Sequence, residues 1–314
     1  MRMAEIADEV ERKGRKPFMK QPAVRREITG WLFSSPWILG FLFFTAIPMG
    51  YAMWLPFQRW EIITPAQYVG LANFREFAKD PLVWKSFKVT AIWTLATIPL
   101  HMVLGLSVAL LMNQKLPGIN TFRTIYYIPA VVPAVATGIL WMWVLDPSFG
   151  VLNWLIQEVT GLPGPLWLAD EHWALPAMML MSLWGVGGGM VMYLAGLQGI
   201  PTTLYEAATI DGAGRWHKFW NVTIPMLSPM IFFNLIMSII GSFQVFDIAF
   251  VTTGGGPNNS TLFYMLYLYR NAFEWYKMGY ASLLAWALFF VILGFTFLQF
   301  RLGKYWVFAG GMKI

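Results

Sequence analysis

Charged residues fall in clusters along the chain and leave six intervals with none, at 28–58, 89–114, 124–145, 172–205, 219–246 and 278–300. Even the shortest reaches the ~20 residues that a spanning helix requires, so the pattern predicts six membrane spans. A seventh interval, 248–269, holds Gly254, Gly255, Gly256, Pro257, Asn258, Asn259 and Ser260 in succession. Such turn composition crosses hydrocarbon only when buried in protein, and it predicts a re-entrant or extracytoplasmic loop. The expected architecture is an all-α integral membrane protein: a leader at 1–30, one six-helix domain at 31–302 and a tail at 303–314.

An even number of spans puts both ends on one side. With the ends inside, fifteen Lys and Arg lie in inner segments and seven in outer ones, so both termini are expected in the cytoplasm. The first outer connection, about 58–88, is expected to hold a short surface helix, with Asp80-Pro81 as a turn or helix start. The second, 146–173, carries the turn formers Asp146-Pro147-Ser148-Phe149-Gly150 and Leu162-Pro163-Gly164-Pro165. Trp54, Trp60, Trp84, Trp154, Trp167, Trp173 and Trp275 fall at or beyond outer span ends, as interfacial anchors do.

Composition agrees: 57% hydrophobic and 12% charged residues exclude an ordinary soluble domain. The net charge of +6 does not indicate nucleic acid, because eight of the 22 basic residues sit in the first 30 positions among Glu5, Asp8, Glu9, Glu11 and Glu27. That mixture reads as a cytoplasmic leader, solvated or touching anionic lipid, rather than a cleavable signal peptide. There is no Cys, and His101, His172 and His217 are too scattered for a metal site. No G-x-x-x-x-G-K-[ST] occurs, so ATP hydrolysis and a bound cofactor are not expected of this chain.

The inner connection 200–224 carries the most local information. Thr203-Leu204-Tyr205-Glu206 fits a capping box that starts a short helix, and Gly212 and Gly214 offer positive-φ positions that stop it. A second helix is expected over 215–223, with Pro225 in the first turn of the next span.

Glu206-Ala207-Ala208, three residues, Gly212, nine residues, then Val222-Thr223-Ile224-Pro225 resembles the EAA signature of permease subunits in ATP-binding-cassette importers. Val222 and Ile224 depart conservatively from the usual Ile-x-Leu-Pro ending, and Asp211 also fits. Tyr68-Val69-Gly70-Leu71-Ala72-Asn73-Phe74, with Ser242-Phe243-Gln244-Val245-Phe246-Asp247 and Thr253-Gly254-Gly255-Gly256-Pro257, narrows the likeness to the six-span, maltose-type carbohydrate branch. The resemblance implies a type I importer permease fold in a bacterial or archaeal cytoplasmic membrane. It also implies a second permease, two ATPase subunits that bind ATP and Mg, and an extracytoplasmic solute-binding protein as partners. Glu206, Ala207, Ala208, Asp211, Gly212 and Pro225 then belong to a loop that docks on an ATPase, with Glu206 capping its helix, pairing with a partner Arg, or both.

A sugar route needs hydroxyl partners and aromatic faces at membrane depth. The fifth span supplies Asn234, Ser238, Ser242 and Gln244, residues that elsewhere glue helices together. Trp184 and the run from Gly185 to Gly189 in the fourth span fit either a broken helix beside a cavity or close helix packing. The resembled family takes solute contacts from these two spans, which implies Trp184, Gly188, Ser238, Ser242 and Gln244. Asp247 either caps the following loop or accepts sugar hydroxyls. Without Lys or Arg inside the spans a neutral sugar is favoured. The competing classes are a channel or secondary carrier, for which only His101 and Asp247 offer ionisable groups in the spans, and a non-transporting scaffold subunit.

Overall fold

The computed structural model describes residues 22–308, with side chains from 26 onward. Most of the expected leader (1–30) and the end of the expected tail (303–314) lie outside the described residues. The chain divides into two units at Leu55–Pro56. The first holds α1 (Pro22–Phe41), a π turn (Leu42–Ala46) and α2 (Ile47–Trp54) in one continuous helix. Its apolar side chains, Trp31, Phe33 and Phe44 among them, stand exposed all round, as suits a helix solvated by lipid.

The second unit opens with a two-residue hairpin, β1 (Gln58–Arg59) against β2 (Gln67–Tyr68), in register Gln58 with Tyr68. Buried Asn73 stitches it by donating to the Pro56 and Gln58 carbonyls. α3 (Ala72–Lys79) is the expected surface helix. Asp80 then caps α4 (Pro81–Met112), accepting from the Leu82 amide, with Pro81 in the first turn where no amide is missed. α4 is the central post. It buries Val83, Ser86, Val89, Thr90, Trp93, Thr97 and Gly105 along one helical stripe.

The third and fourth spans are not straight. α5 (Ile119–Val131) and α6 (Ala134–Val144) meet at 98°. Pro133 supplies no amide and holds Val132 extended at φ −71°, ψ 132°, so the helix breaks there. α8 (Ala174–Leu183) and α9 (Gly187–Gln198) meet at 42°, broken at Trp184–Val186. Four helices are long and apolar enough to cross a membrane unbroken, and six spans result when each bent pair counts as one.

Between the third and fourth spans the turn formers hid a helix, α7 (Val151–Thr160). Trp167, expected as an interfacial anchor, is instead buried and donates to Asn153. At 202–243 follow α10 (Thr202–Ile210), α11 (Arg215–Lys218), a π turn (Phe219–Thr223) and α12 (Ile224–Phe243). The turn-rich interval becomes a short hairpin, α13 (Asp247–Thr252) and α14 (Tyr264–Tyr269), before α15 (Met278–Gly303). Its turn takes positive φ at Gly254, Gly255, Asn258 and Asn259. The Tyr264 amide donates to Thr90 Oγ1, nine residues or about 14 Å along α4 from its start, so the hairpin folds inward against protein.

Candidate translocation cavity and coupling hairpin

The inner connection forms a helical hairpin, with two departures from the sequence reading. α10 begins two residues early, at Thr202 after Pro201, whose ψ of 130° ends the extended chain. Thr203 is therefore inside the helix, no capping box forms, and exposed Glu206 makes no hydrogen bond or ion pair within the described residues. The turn uses Gly212 at φ +77°, closed by Ala213 N–H donating to Ala208 at 2.8 Å, whereas Gly214 is extended at φ −70°. Lys218 donates to Thr209 Oγ1 at 2.7 Å, and Tyr205 and Thr223 share a hydroxyl hydrogen bond at 3.0 Å, tying the two arms. A notch of about 420 Å³ opens beside the turn between Ala208, Asp211, Gly212 and His217.

The second arm does not end before the fifth span. A π turn carries the helix from α11 into α12, with Ile224 N–H reaching Phe219 O. The wider turn suits Pro225, which has no amide to give and whose ring crowds an α-helical neighbour. The apolar helical run extends from Arg215 to Thr252.

Farther along that run Ser238, Gly241 and Ser242 face a cavity of about 170 Å³. α4 closes it with Trp93, Thr97 and His101, one turn apart each, and α8 adds Ser182. His101 Nε2 and Ser182 Oγ lie 3.0 Å apart, while Thr94 donates to Ser242 at 3.0 Å and Ser242 donates to Ile239 O. Thr97 spends its proton on the Trp93 carbonyl. Among the described residues the Ser238 hydroxyl has no intramolecular partner, which leaves it free both to donate and to accept.

The other expected solute residues are elsewhere. Trp184 sits at the bend, edge-on to Trp141 at 6.3 Å, beside a separate apolar pocket of about 340 Å³ shared with Tyr126 and Gly187. Gly188 lies near the Ala130 methyl. Gln244 ends α12 and Asp247 begins α13, both exposed and outside the cavity lining. Both readings of the glycine run hold in part: the helix breaks there, and a Cβ on Gly187 would collide with the Tyr126 carbonyl of α5. The Trp93–Thr97–His101 contribution was missed. An aromatic, a hydroxyl and an imidazole at i, i+4 and i+8 within one span were its legible signal.

A set of apolar spans around a small cavity edged by hydroxyls, an imidazole and an indole, with a helical hairpin at the inner end, is the build of a multi-pass membrane permease. Residues 101–305 match the family described as binding-protein-dependent transport system inner membrane component. The chain is 38% identical to the probable ABC transporter permease protein YesP of Bacillus subtilis, over 94% of this chain and 96% of that one. It is 32% identical to the trehalose/maltose transport system permease protein MalF of Thermococcus litoralis, over 88% and 94%. In fold it is similar to a chain of a bacterial ABC transporter involved in import of the acidic polysaccharide alginate, with a TM-score of 0.79 at 21% identity over 90% and 97%. The chain belongs to the binding-protein-dependent transport system inner membrane components, the permeases of ABC importers, and has their type I fold.

Proposed function

We propose that the chain is one permease half of an ATP-driven importer that carries a neutral carbohydrate, delivered by an extracytoplasmic binding protein, across a bacterial or archaeal cytoplasmic membrane. One observation carries the reading: the helical run that begins in the exposed inner hairpin at Arg215 also presents Ser238 and Ser242 to the cavity. A push on the hairpin is thereby delivered to the cavity wall through a single rigid element. The segment 200–224, with Glu206, Ala207, Ala208, Asp211, Gly212 and Pro225, docks on an ATPase subunit that supplies ATP and Mg chemistry. Glu206, free of any capping duty, pairs with a partner cation there.

In the cavity, Ser238, Thr97 and His101 serve sugar hydroxyls, and the Trp93 ring faces an apolar sugar face. No Lys, Arg, Asp or Glu lines it, which favours a neutral solute. The trehalose/maltose name of a relative supports a saccharide. Trp184, Gly188, Gln244 and Asp247 would meet solute only in another state of the cycle. A second permease, two ATPase subunits and a binding protein complete the assembly.

The test is mild-detergent purification of the native chain and of Gly212→Asp after in-cell cross-linking, with mass-spectrometric identification of partners. The native chain is expected to bring an ATPase, a second permease and a binding protein, and the variant to lose the ATPase. A chain that purifies alone in several detergents points to a carrier or channel instead.

A further inference from the structure

The outer end of α4 carries cations that nothing within the fold uses. Over 75–88 the chain places Arg75, Lys79, Lys85 and Lys88, all exposed and none with a hydrogen bond or ion pair among the described residues. The two carboxylates of the same stretch are already engaged. Glu76 pairs with Lys277 at 3.3 Å, and Asp80 accepts from the Leu82 amide and from the Tyr267 and Tyr280 hydroxyls. The other long outer connection, 146–173, is the reverse, with Asp146, Glu158, Asp170 and Glu171 and no Lys or Arg. Free positive charge is therefore gathered in the first outer connection, against the usual bias of basic residues toward inner loops.

Two of these cations head a face of α4 that suits hydrocarbon. Lys85, Lys88, Ile92, Leu95, Pro99 and Val103 recur at steps of three and four and are all exposed, Leu95 at 76%. Val83, Ser86, Thr90 and Trp93 turn away from that stripe and are buried. Trp84 flanks the lysines. It is 56% exposed, its Nε1 donates to the Ala78 carbonyl at 3.3 Å, and its ring lies 6.3 Å from Phe77, which fixes it at the corner of α3 and α4 as an interfacial anchor. At about 1.5 Å per residue, Leu95 lies about 10 Å beyond Lys88, within the ~15 Å depth of one hydrocarbon leaflet.

We infer that the outer end of α4 binds an anionic phospholipid of the outer leaflet, with Lys85 and Lys88 on its phosphate and an acyl chain along Ile92 and Leu95. A lysine at this depth lays its stem on apolar surface and raises its charge to the headgroup layer. A soluble anion would answer the lysines and leave Ile92 and Leu95 bare. A zwitterionic lipid would cover the stripe and bring no net charge to the ammonium groups. An anionic lipid does both. Trp93 and Thr97 of the same helix line the solute cavity, so the lipid bears on the element that forms one cavity wall.

The experiment uses the protein purified with its partners and placed in nanodiscs of phosphatidylglycerol and phosphatidylcholine with identical acyl chains, the lipid that stays bound being counted by native mass spectrometry. The native protein should retain phosphatidylglycerol in preference. Lys85→Gln combined with Lys88→Gln should cut that preference about tenfold, whereas Lys85→Arg combined with Lys88→Arg should keep it. Arg75→Gln combined with Lys79→Gln should change it by less than about twofold, since neither residue lies on α4. A phosphatidylglycerol with a photoactivatable acyl chain reads the contact on the native protein, whatever the variants do to folding, and should label the stretch 88–103. Equal retention of the two lipids, a preference indifferent to Lys85 and Lys88, or labelling confined to other segments overturns the proposal. Displacement of the bound lipid by millimolar inorganic phosphate also overturns it, by making the ligand a soluble anion.

Discussion

The two ends of the second unit are built on opposite plans. At the outer end one carboxylate joins three elements: Asp80 caps α4, while the hydroxyls of Tyr267 after α14's start and Tyr280 in α15 both donate to its Oδ2, the latter at 2.7 Å. Around that clasp Phe263, Leu266 and Asn271 are fully buried. At the inner end, α10 and α11 bury no residue, and Ile210 and Trp216 are 87% and 73% exposed. Internal bonds finish the outer end, whereas the inner end is held in shape by a few bonds and leaves its surface bare. Stability and coupling should therefore respond to different substitutions.

The largest expected effect is on coupling. Gly212→Asp puts a side chain at φ +77° and a charge on the docking turn, and uptake should fall to background while the chain still inserts. Normal uptake in that variant would sink the docking role. At the other end Asp80→Ala leaves two buried tyrosine hydroxyls and a helix N-terminus without their acceptor. The detergent-solubilised protein should lose about 3 kcal/mol of stability, read from denaturant or thermal unfolding. A loss below about 1 kcal/mol would show that the clasp is dispensable.

Next in size, Gly187→Ala forces α9 away from the α5 backbone and should cost about 2 kcal/mol, visible in the same unfolding assay. Wild-type stability would mean the helices separate freely at the bend. Ser238→Ala should raise the KM for uptake about fivefold with stability unchanged, because that hydroxyl serves no internal bond among the described residues. An equal change in stability would reassign it to packing. Smallest, Glu206→Ala should alter stability by less than about 0.5 kcal/mol, since no cap is lost, and yet weaken ATPase co-purification. Destabilisation by a full cap's worth would restore the capping role.

Much of the fold was legible because a bilayer imposes one-dimensional rules. Length of apolar run and placement of Lys and Arg are properties of sequence, and they located the spans, the surface helix at Ala72–Lys79 and the Asp80-Pro81 start of α4. The shape of the inner hairpin was legible for a local reason: Gly212 and Pro225 act on their own turns. The failures share a cause as well. Thr203 fits a capping pattern, but Pro201 upstream moves the helix start by two residues. In the third span Pro133 was present in the sequence, yet the apolar run around it concealed a 98° break. The turn formers around 146–173 masked α7, whose inward face is defined only by what it packs against.

The sequence by itself determined the class of solvent, the sidedness of the loops and the local geometry of the inner turn, because each depends on residues within a few positions of one another. Only the tertiary structure decided which polar side chains share a cavity. Ser238 on α12, Ser182 on α8 and His101 on α4 are separated by up to 137 positions, and helix rotation and register turn them toward one space. The same rotations left Gln244 and Asp247 outside it. No periodicity within one span carries that information, because side-chain convergence is a property of packed surfaces and not of chain order.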